Sequence, residues 1–211
     1  MAATTPPSRD SVRQLFDTVS RGYDTPWIQR RFYQPAQEAI LDELGTRQAN
    51  NIVDVGCGTG ILADRIQSTL APHQVIGVDP SQGMLTNARA RTSAVSWHVG
   101  TAENLPLPDE SVDAVTTSTA FHFFDQPAAL AEFYRVLIPG GIVVIGSIIQ
   151  PTPTPRNLCG ILARCTPGGY LAADSVPDLL TDAGFEVVRR RPINSRVSGW
   201  PLFYRVTVGV K

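Results

Sequence analysis

A β-branched run that ends in three glycines, then a helix-spaced run, then a second β-branched run closed by a carboxylate leaves a chain few ways to fold. Here the first run is Ile52 to Val55, and the glycines are Gly56, Gly58 and Gly60. Ile61, Leu62, Ile66 and Leu70 follow at helical spacing, and Val75 to Val78 leads into Asp79. Short β-branched runs bounded by turn residues read as buried strands. Glycine directly after a strand permits positive φ and lets a ligand approach the main chain. Strand, glycine turn, helix, strand, acid is a nucleotide-binding βαβ half, and the acid at its end is placed to accept hydrogen bonds from ribose hydroxyls.

The glycine spacing narrows the nucleotide. A dinucleotide fingerprint needs its third glycine where Ile61 stands, and no Lys follows the loop, which excludes a phosphate-cradling P-loop. Asp54, inside the first strand, brings a carboxylate to the loop and suits a ligand with a positive charge better than a pyrophosphate. The string Val53-Asp54-Val55-Gly56-Cys57-Gly58-Thr59-Gly60 with Val78-Asp79-Pro80-Ser81 resembles motif I and the following acidic motif of class I S-adenosylmethionine (SAM) dependent methyltransferases.

More of the chain carries the same resemblance. Phe16-Asp17-Thr18-Val19-Ser20-Arg21-Gly22-Tyr23-Asp24 is similar to the family's "F-D-x-x-A-x-x-Y-D" entry segment, which folds over the cofactor; Tyr23 either faces the site or packs at a helix end. Gly100-Thr101-Ala102-Glu103-Asn104-Leu105-Pro106 resembles the adenine-binding "G-D-A-x-x-L-P-F" string and implies adenine contacts at Ala102 and Glu103. Ser118-Thr119-Ala120-Phe121-His122-Phe123-Phe124-Asp125 resembles the "A-x-x-x-H-W-F-D" variant of the quinone- and small-molecule-methylating branch. Arg135 to Gly141 is similar to "R-V-L-K-P-G-G", an architectural turn, and Ala183-Gly184-Phe185 to the late "A-G-F-x-x-V" string.

The resemblance implies an α/β fold: a Rossmann-like, doubly wound, seven-stranded sheet, its last strand antiparallel, with N-terminal helices covering the site. The strands are expected at 52–55, 75–78, 95–99, 111–117, 142–149, 185–188 and 202–210. One domain is expected over 1–211, with an N-terminal helical cap at 1–45 and a short substrate-side insert at 150–174, built as a lid or as a plain crossover. The helix over Trp27 to Leu44, with Ile28, Phe32, Ala36, Ile40 and Leu44 down one face, should end at Gly45.

Composition removes other chemistries. With 211 residues, 43% of them hydrophobic, and a net charge of −1, the chain is expected to be globular and carries no electrostatic footprint for nucleic acid. Lys211 is its one lysine, so Schiff-base chemistry is almost ruled out. Cys57, Cys159 and Cys165 form no paired-ligand pattern, so no metal site and a reducing compartment are expected. Met1 to Pro7 has neither basic flank nor apolar core, and no run approaches spanning length, so a cytoplasmic protein without a membrane span is expected.

These readings converge on a SAM-dependent methyltransferase acting on a small acceptor by in-line displacement; the alternative is a SAM-binding regulatory or partner protein without turnover. An NAD-dependent oxidoreductase is third, and Ile61 counts against it. Cofactor contacts are expected at Asp54, Gly56, Cys57, Gly58, Gly60, Asp79, Pro80, Ser81, Met84, Ala102, Glu103 and Ser118, with Met84 serving either as a contact or as core. His122 and Tyr23 are the candidate catalytic residues, His122 as general base or as packing. Tyr23, Trp27, Phe121, Phe123 and Phe124 around the site imply an apolar acceptor such as a phenol or quinone.

Overall fold

The computed structural model describes residues 17, 24–149, 175–197 and 200–211. Most of the entry segment, including Tyr23, and the insert at 150–174 with Cys159 and Cys165 lie outside the described residues. Seven strands form one sheet: β1 (Asn51–Val55), β2 (Gln74–Asp79), β3 (Ser96–Val99), β4 (Val112–Ser118), β5 (Leu137–Ile149), β6 (Glu186–Val197) and β7 (Trp200–Val210). Their order is β3-β2-β1-β4-β5-β7-β6. β1 to β5 pair in parallel, and β7 runs antiparallel to both β5 and β6. The chain therefore winds outward both ways from β1 and β4. The crevice at their carboxyl ends is where this topology places ligands.

Helices cover both faces. α1 (Gln34–Arg47) and α2 (Ile61–Leu70) bury Ile40, Leu44, Leu62 and Ile66 against Ile52, Ala114, Val144 and Val206. On the other face α4 (Gln126–Val136) and α5 (Ser175–Asp182) bury Leu130, Phe133 and Leu180 against Val53, Val115, Val143 and Ile145. α3 (Gln82–Arg91) packs beside β2 and β3. Asp113 fastens the amino ends of the strands, where one carboxylate oxygen accepts from the Asn50 and Asn51 N–H groups at 2.9 and 2.6 Å.

Several boundaries differ from expectation, the largest at β6, which is expected to end at Val188 and runs on to Val197, with Arg189 to Arg191 paired to β7. The first helix does not stop at Gly45. It runs to Arg47, and Gln48 takes the left-handed cap at φ 53°; Gly45 instead lets Leu70 of α2 come close, at 3.3 Å from where a Cβ would stand. The same helix is not regular at its start: a turn at Pro26–Ile28 passes through a π-helical turn, Gln29–Tyr33, before α1. Pro139-Gly140-Gly141 does not separate helix from strand either. β5 begins at Leu137, paired with Val112, and the register shifts before Ile142 pairs with Ala114, so the prolyl-glycyl stretch is a bulge.

Behind the glycine loop lies Trp97, which the sequence reading did not single out. A Cβ on Gly77 would sit 2.4 Å from two Trp97 ring atoms, and one on Gly60 would sit 2.4 Å from a third. Both glycines make room for the indole, whose N–H donates to Thr92 O at 3.2 Å. Gly77→Ala should cost about 1–3 kcal/mol through overpacking. Gly60→Ala should cost more, because its φ of 80° adds roughly 1–2 kcal/mol for an L side chain. Urea unfolding checks both, and Trp97→Leu in the Gly77→Ala background should recover part of the loss.

Candidate cofactor site

β1 and β4 pair with Asp54 opposite Thr116, so Asp54, Thr116 and Ser118 share one face of the sheet. That face opens into a cleft lined by Asp54, Gly56, Cys57, Gly58, Thr59, Ile61, Leu62 and Ser118, and roofed by Gln29, Tyr33 and Gln37. The last three stand four residues apart, on one side of the π-turn and α1. They escaped the sequence reading, although they form a polar stripe one position along from the apolar stripe Ile28, Phe32, Ala36. Single π-turns occur frequently at functional sites. Gln37 is buried and accepts from Arg65 Nη1 at 3.0 Å.

Three glycines shape the floor. Gly56, Gly58 and Gly60 have φ of 71°, 55° and 80°. The Gly56 and Cys57 N–H groups donate to Val78 O at 2.8 and 3.2 Å. A Cβ on Gly56 would lie 2.7 Å from Ala120 Cβ, so this glycine admits the chain that leaves β4. That chain is bent by Thr119, a β-branched residue held at φ 55°, its N–H donating to Gly146 O at 2.7 Å. Such a conformation is uncommon and costs free energy, and it clusters at functional sites.

Two buried carboxyls face this loop, and they are treated differently. Asp79 accepts from Gly58 N and Ser81 N, each at 2.9 Å. Burial raises its carboxyl above the usual range, and those two donors oppose the rise. Asp54 is 2% exposed, and its Oδ1 has no hydrogen-bond partner among the described residues. Burial, followed by the charge of Asp79, pushes its carboxyl well above the usual range. Ser118 Oγ is likewise buried without a partner. A buried acceptor and a buried donor left open at one cleft point to a ligand that supplies both. The ammonium and carboxylate of an amino acid fit that demand, as does a cation beside Asp54.

Of the other expected contacts, Cys57 lines this cleft, whereas Pro80, Ser81, Met84, Ala102 and Glu103 do not; they lie at the start of α3 and in the loop after β3. Ser81 caps α3, accepting from Met84 N at 3.1 Å and donating to Asp17 at 2.5 Å, so its hydroxyl is engaged within the protein. Met84 and Ala102 are buried. Pro80 is half-buried beside Asp79, and Glu103 accepts from Asp125 N at 2.8 Å, tying its loop to the start of α4. Arg135 and Glu132 hold the same loop from α4: Arg135 donates to Leu107 O at 2.9 Å, and Glu132 accepts from Leu105 N at 2.9 Å. Cys57 is buried, and burial with the two nearby acids pushes its thiol up, which fits a small residue packed under the loop. Phe121 is fully buried and belongs to the core, so it offers no surface to an acceptor; Phe124 packs edge-on against it, centroids 6.1 Å apart. Phe123 is half-buried, and Trp27 is 59% exposed.

Half-buried His122 lies in a single 3-10 turn, Phe121–Phe123, its ring 4.1 Å from that of Phe123. Burial lowers its pKa to about 4. It is therefore neutral across the physiological range. His73 lies at the amino end of β1, 3.3 Å from Asn51 Oδ1, and His98 is exposed on the edge strand β3.

A glycine loop after β1, an acid ending β2 and a cleft at the β1/β4 switch define a Rossmann-like fold for an adenosyl ligand. Comparison with known proteins narrows this. A methyltransferase domain family model matches residues 53–145. An uncharacterized methyltransferase of Schizosaccharomyces pombe is 30% identical over 182 residues, spanning 85% of this chain and 71% of that protein. A demethylmenaquinone methyltransferase of Symbiobacterium thermophilum is 35% identical over 150 residues, 64% of this chain and 60% of that protein. Among solved structures, a Haemonchus contortus phosphoethanolamine N-methyltransferase in complex with S-adenosylhomocysteine superimposes with a TM-score of 0.77 at 19% identity, covering 97% of this chain and 60% of that one. The chain belongs to the class I SAM-dependent methyltransferase family. Its cofactor is SAM, with S-adenosylhomocysteine as the demethylated form. No described helix is long and apolar enough to cross a membrane.

Asp54 supplies a pH test. A carboxyl whose folded pKa is raised favours the folded state below its unfolded pKa and loses that contribution as pH rises through the folded value. Asp54→Asn should therefore raise the melting temperature of the cofactor-free protein at neutral pH, and the difference from wild type should vanish toward pH 3. The same variant should weaken S-adenosylhomocysteine binding by about 10- to 100-fold, the loss of one charge-assisted hydrogen bond. In the wild type, affinity should fall with decreasing pH as Asp54 takes up its proton. Calorimetric titration and thermal unfolding across pH check all three.

Proposed function

We propose that this protein transfers a methyl group from SAM to a small acceptor with an apolar or aromatic body, by direct in-line displacement. The observation that carries the reading is a pair of buried polar atoms without partners among the described residues, Asp54 Oδ1 and Ser118 Oγ, at one cleft beside the glycine loop. Asp54 would take the ammonium of the methionyl end and Ser118 its carboxylate, with the backbone of Gly56 and Gly58 alongside. Asp79 keeps acceptor capacity for ribose hydroxyls after its two backbone donors, since a carboxylate has about four lone-pair sites. When bound, SAM supplies a methyl group on a sulfonium and its own leaving group. The protein's share is then alignment and exclusion of water.

The inventory of bases supports an acceptor that is acidic in its own right. The chain has three His and one Lys. Lys211 donates to Leu137 O at 2.7 Å, at the amino end of β5 and away from the cleft. Of the imidazoles, His122 alone follows the carboxyl end of β4, and its lowered pKa makes it a weak proton acceptor. A carboxylic acid is already ionised at neutral pH, and an acidic phenol or hydroquinone reaches its reactive form with less help than an aliphatic alcohol. The relative named demethylmenaquinone methyltransferase supports a ring-bearing acceptor, and Tyr33 over the cleft, half-buried Phe123 and exposed Trp27 are aromatic surfaces such a ring could meet.

Thermal unfolding with S-adenosylhomocysteine, SAM and NAD tests the cofactor reading. At ~100 times its dissociation constant, a ligand should add roughly 2.7 kcal/mol, about 5–10 °C for a domain of this size. A shift with NAD alone would overturn it. Turnover on substituted phenols of graded pKa tests the acceptor. The pH at which kcat/KM breaks should track the phenol, and His122→Asn should lower kcat less than about 10-fold. Loss of a phenol-independent break near neutral pH in that variant would instead make His122 the base.

A further inference from the structure

We infer that Arg91, at the end of α3, is a positioning residue for the cofactor loop, acting with Asp24 on Thr59; the inference rests on the cofactor reading above. Thr59 stands between the second and third glycines and is 2% exposed, lining the cleft with Asp54 and Ser118. Arg91 Nε donates to Thr59 O at 2.9 Å. The Thr59 hydroxyl donates to Asp24 Oδ1 at 2.5 Å, and the Arg91 guanidinium closes the ring onto the other Asp24 oxygen. Three elements meet there: the turn before Pro26, the glycine loop and the last residue of α3.

The loop needs such a tie. Three glycines at positive φ have the least restricted backbone of any residues, so ordering them costs the most entropy. Inside the βαβ unit, Val78 O holds Gly56 and Cys57, and Asp79 holds Gly58. The bonds at Thr59 O and Oγ1 come from outside the unit, from Arg91 and Asp24. The charge balance points the same way. Asp24 adds a third carboxylate near a loop that already faces Asp54 and Asp79, and the Arg91 guanidinium offsets it. A planar fork can hold a carbonyl and a carboxylate together, which a single ammonium does less well. Arg91 therefore sets how well the loop is formed before the cofactor arrives.

Calorimetric titration with S-adenosylhomocysteine tests this on wild type, Arg91→Gln, Asp24→Asn, the double variant, Thr59→Val and Arg91→Lys. Each of Arg91→Gln and Asp24→Asn should raise the dissociation constant at least 10-fold. The double variant should be no worse than either alone, because the ring opens once. Thr59→Val, which removes the hydroxyl tie and keeps the shape, should weaken binding in the same direction, and Arg91→Lys should recover part of the loss. Cooperative unfolding well above the titration temperature certifies that each variant is folded. A merely structural role would lower the melting temperature and leave the dissociation constant of folded protein within twofold of wild type, with additive effects in the double variant; either result would overturn the inference. Failure of the wild type itself to bind would sink the cofactor reading instead.

Discussion

Two carboxyls are buried against one loop, and the loop's amides serve only one of them. Asp79 receives two backbone N–H groups, while Asp54 keeps an oxygen with no partner among the described residues. A desolvated, uncompensated carboxyl is expensive, and here it has a like-charged neighbour. Much of the surrounding architecture bears on that imbalance. The glycines let the Gly58 amide turn toward Asp79, the β1/β4 register sets Ser118 on the same face as Asp54, and the π-turn lowers Gln29 and Tyr33 over both. On the proposed function, a ligand that brings a cation completes the set, and its recognition at this end of the site is the removal of a deficit built in by folding.

The fold was legible because each element carries a local signature. Four-residue β-branched runs, a capping Ser81 and the Asp125 cap of α4 are all decided by neighbours in sequence. Boundaries were less legible. Gly45 reads as a stop, yet long-range packing against Leu70 gives it another use. Of the site, the residues that touch the loop through their own motif were visible: Asp54, the glycines and Asp79. The roof of Gln29, Tyr33 and Gln37 was not, because a polar stripe beside an apolar one reads as solvated surface until tertiary contact buries it. Asp24 was visible as the end of the entry motif, but its tie to Arg91 was not, since that tie is a meeting of segments 67 residues apart.

The two ends of the sheet are built on different terms. At the amino ends, polar groups find partners: Asp113 takes the Asn50 and Asn51 amides, and Lys211 takes Leu137 O and lies 4.8 Å from the centre of the Tyr134 ring. At the carboxyl ends, Thr119 is held at positive φ, and Asp54 and Ser118 are left open. Hydrogen bonding at the amino ends holds the strands together, while among the described residues the carboxyl ends of β1 and β4 keep two buried polar atoms without partners, where a ligand can supply them.

Trp97 has a consequence for how such a chain can change over generations. Gly60, Gly77 and the indole occupy one another's space, as a Cβ at either glycine would stand 2.4 Å from the ring. Neither glycine can take a side chain without loss of stability while the indole stays. A smaller residue at 97 would open a void under the loop, and larger ones at 60 or 77 would be admitted only afterwards. Any neutral route away from this arrangement must pass first through a looser intermediate. The three positions should therefore drift together or not at all, a linkage across the first three strands that no single motif records.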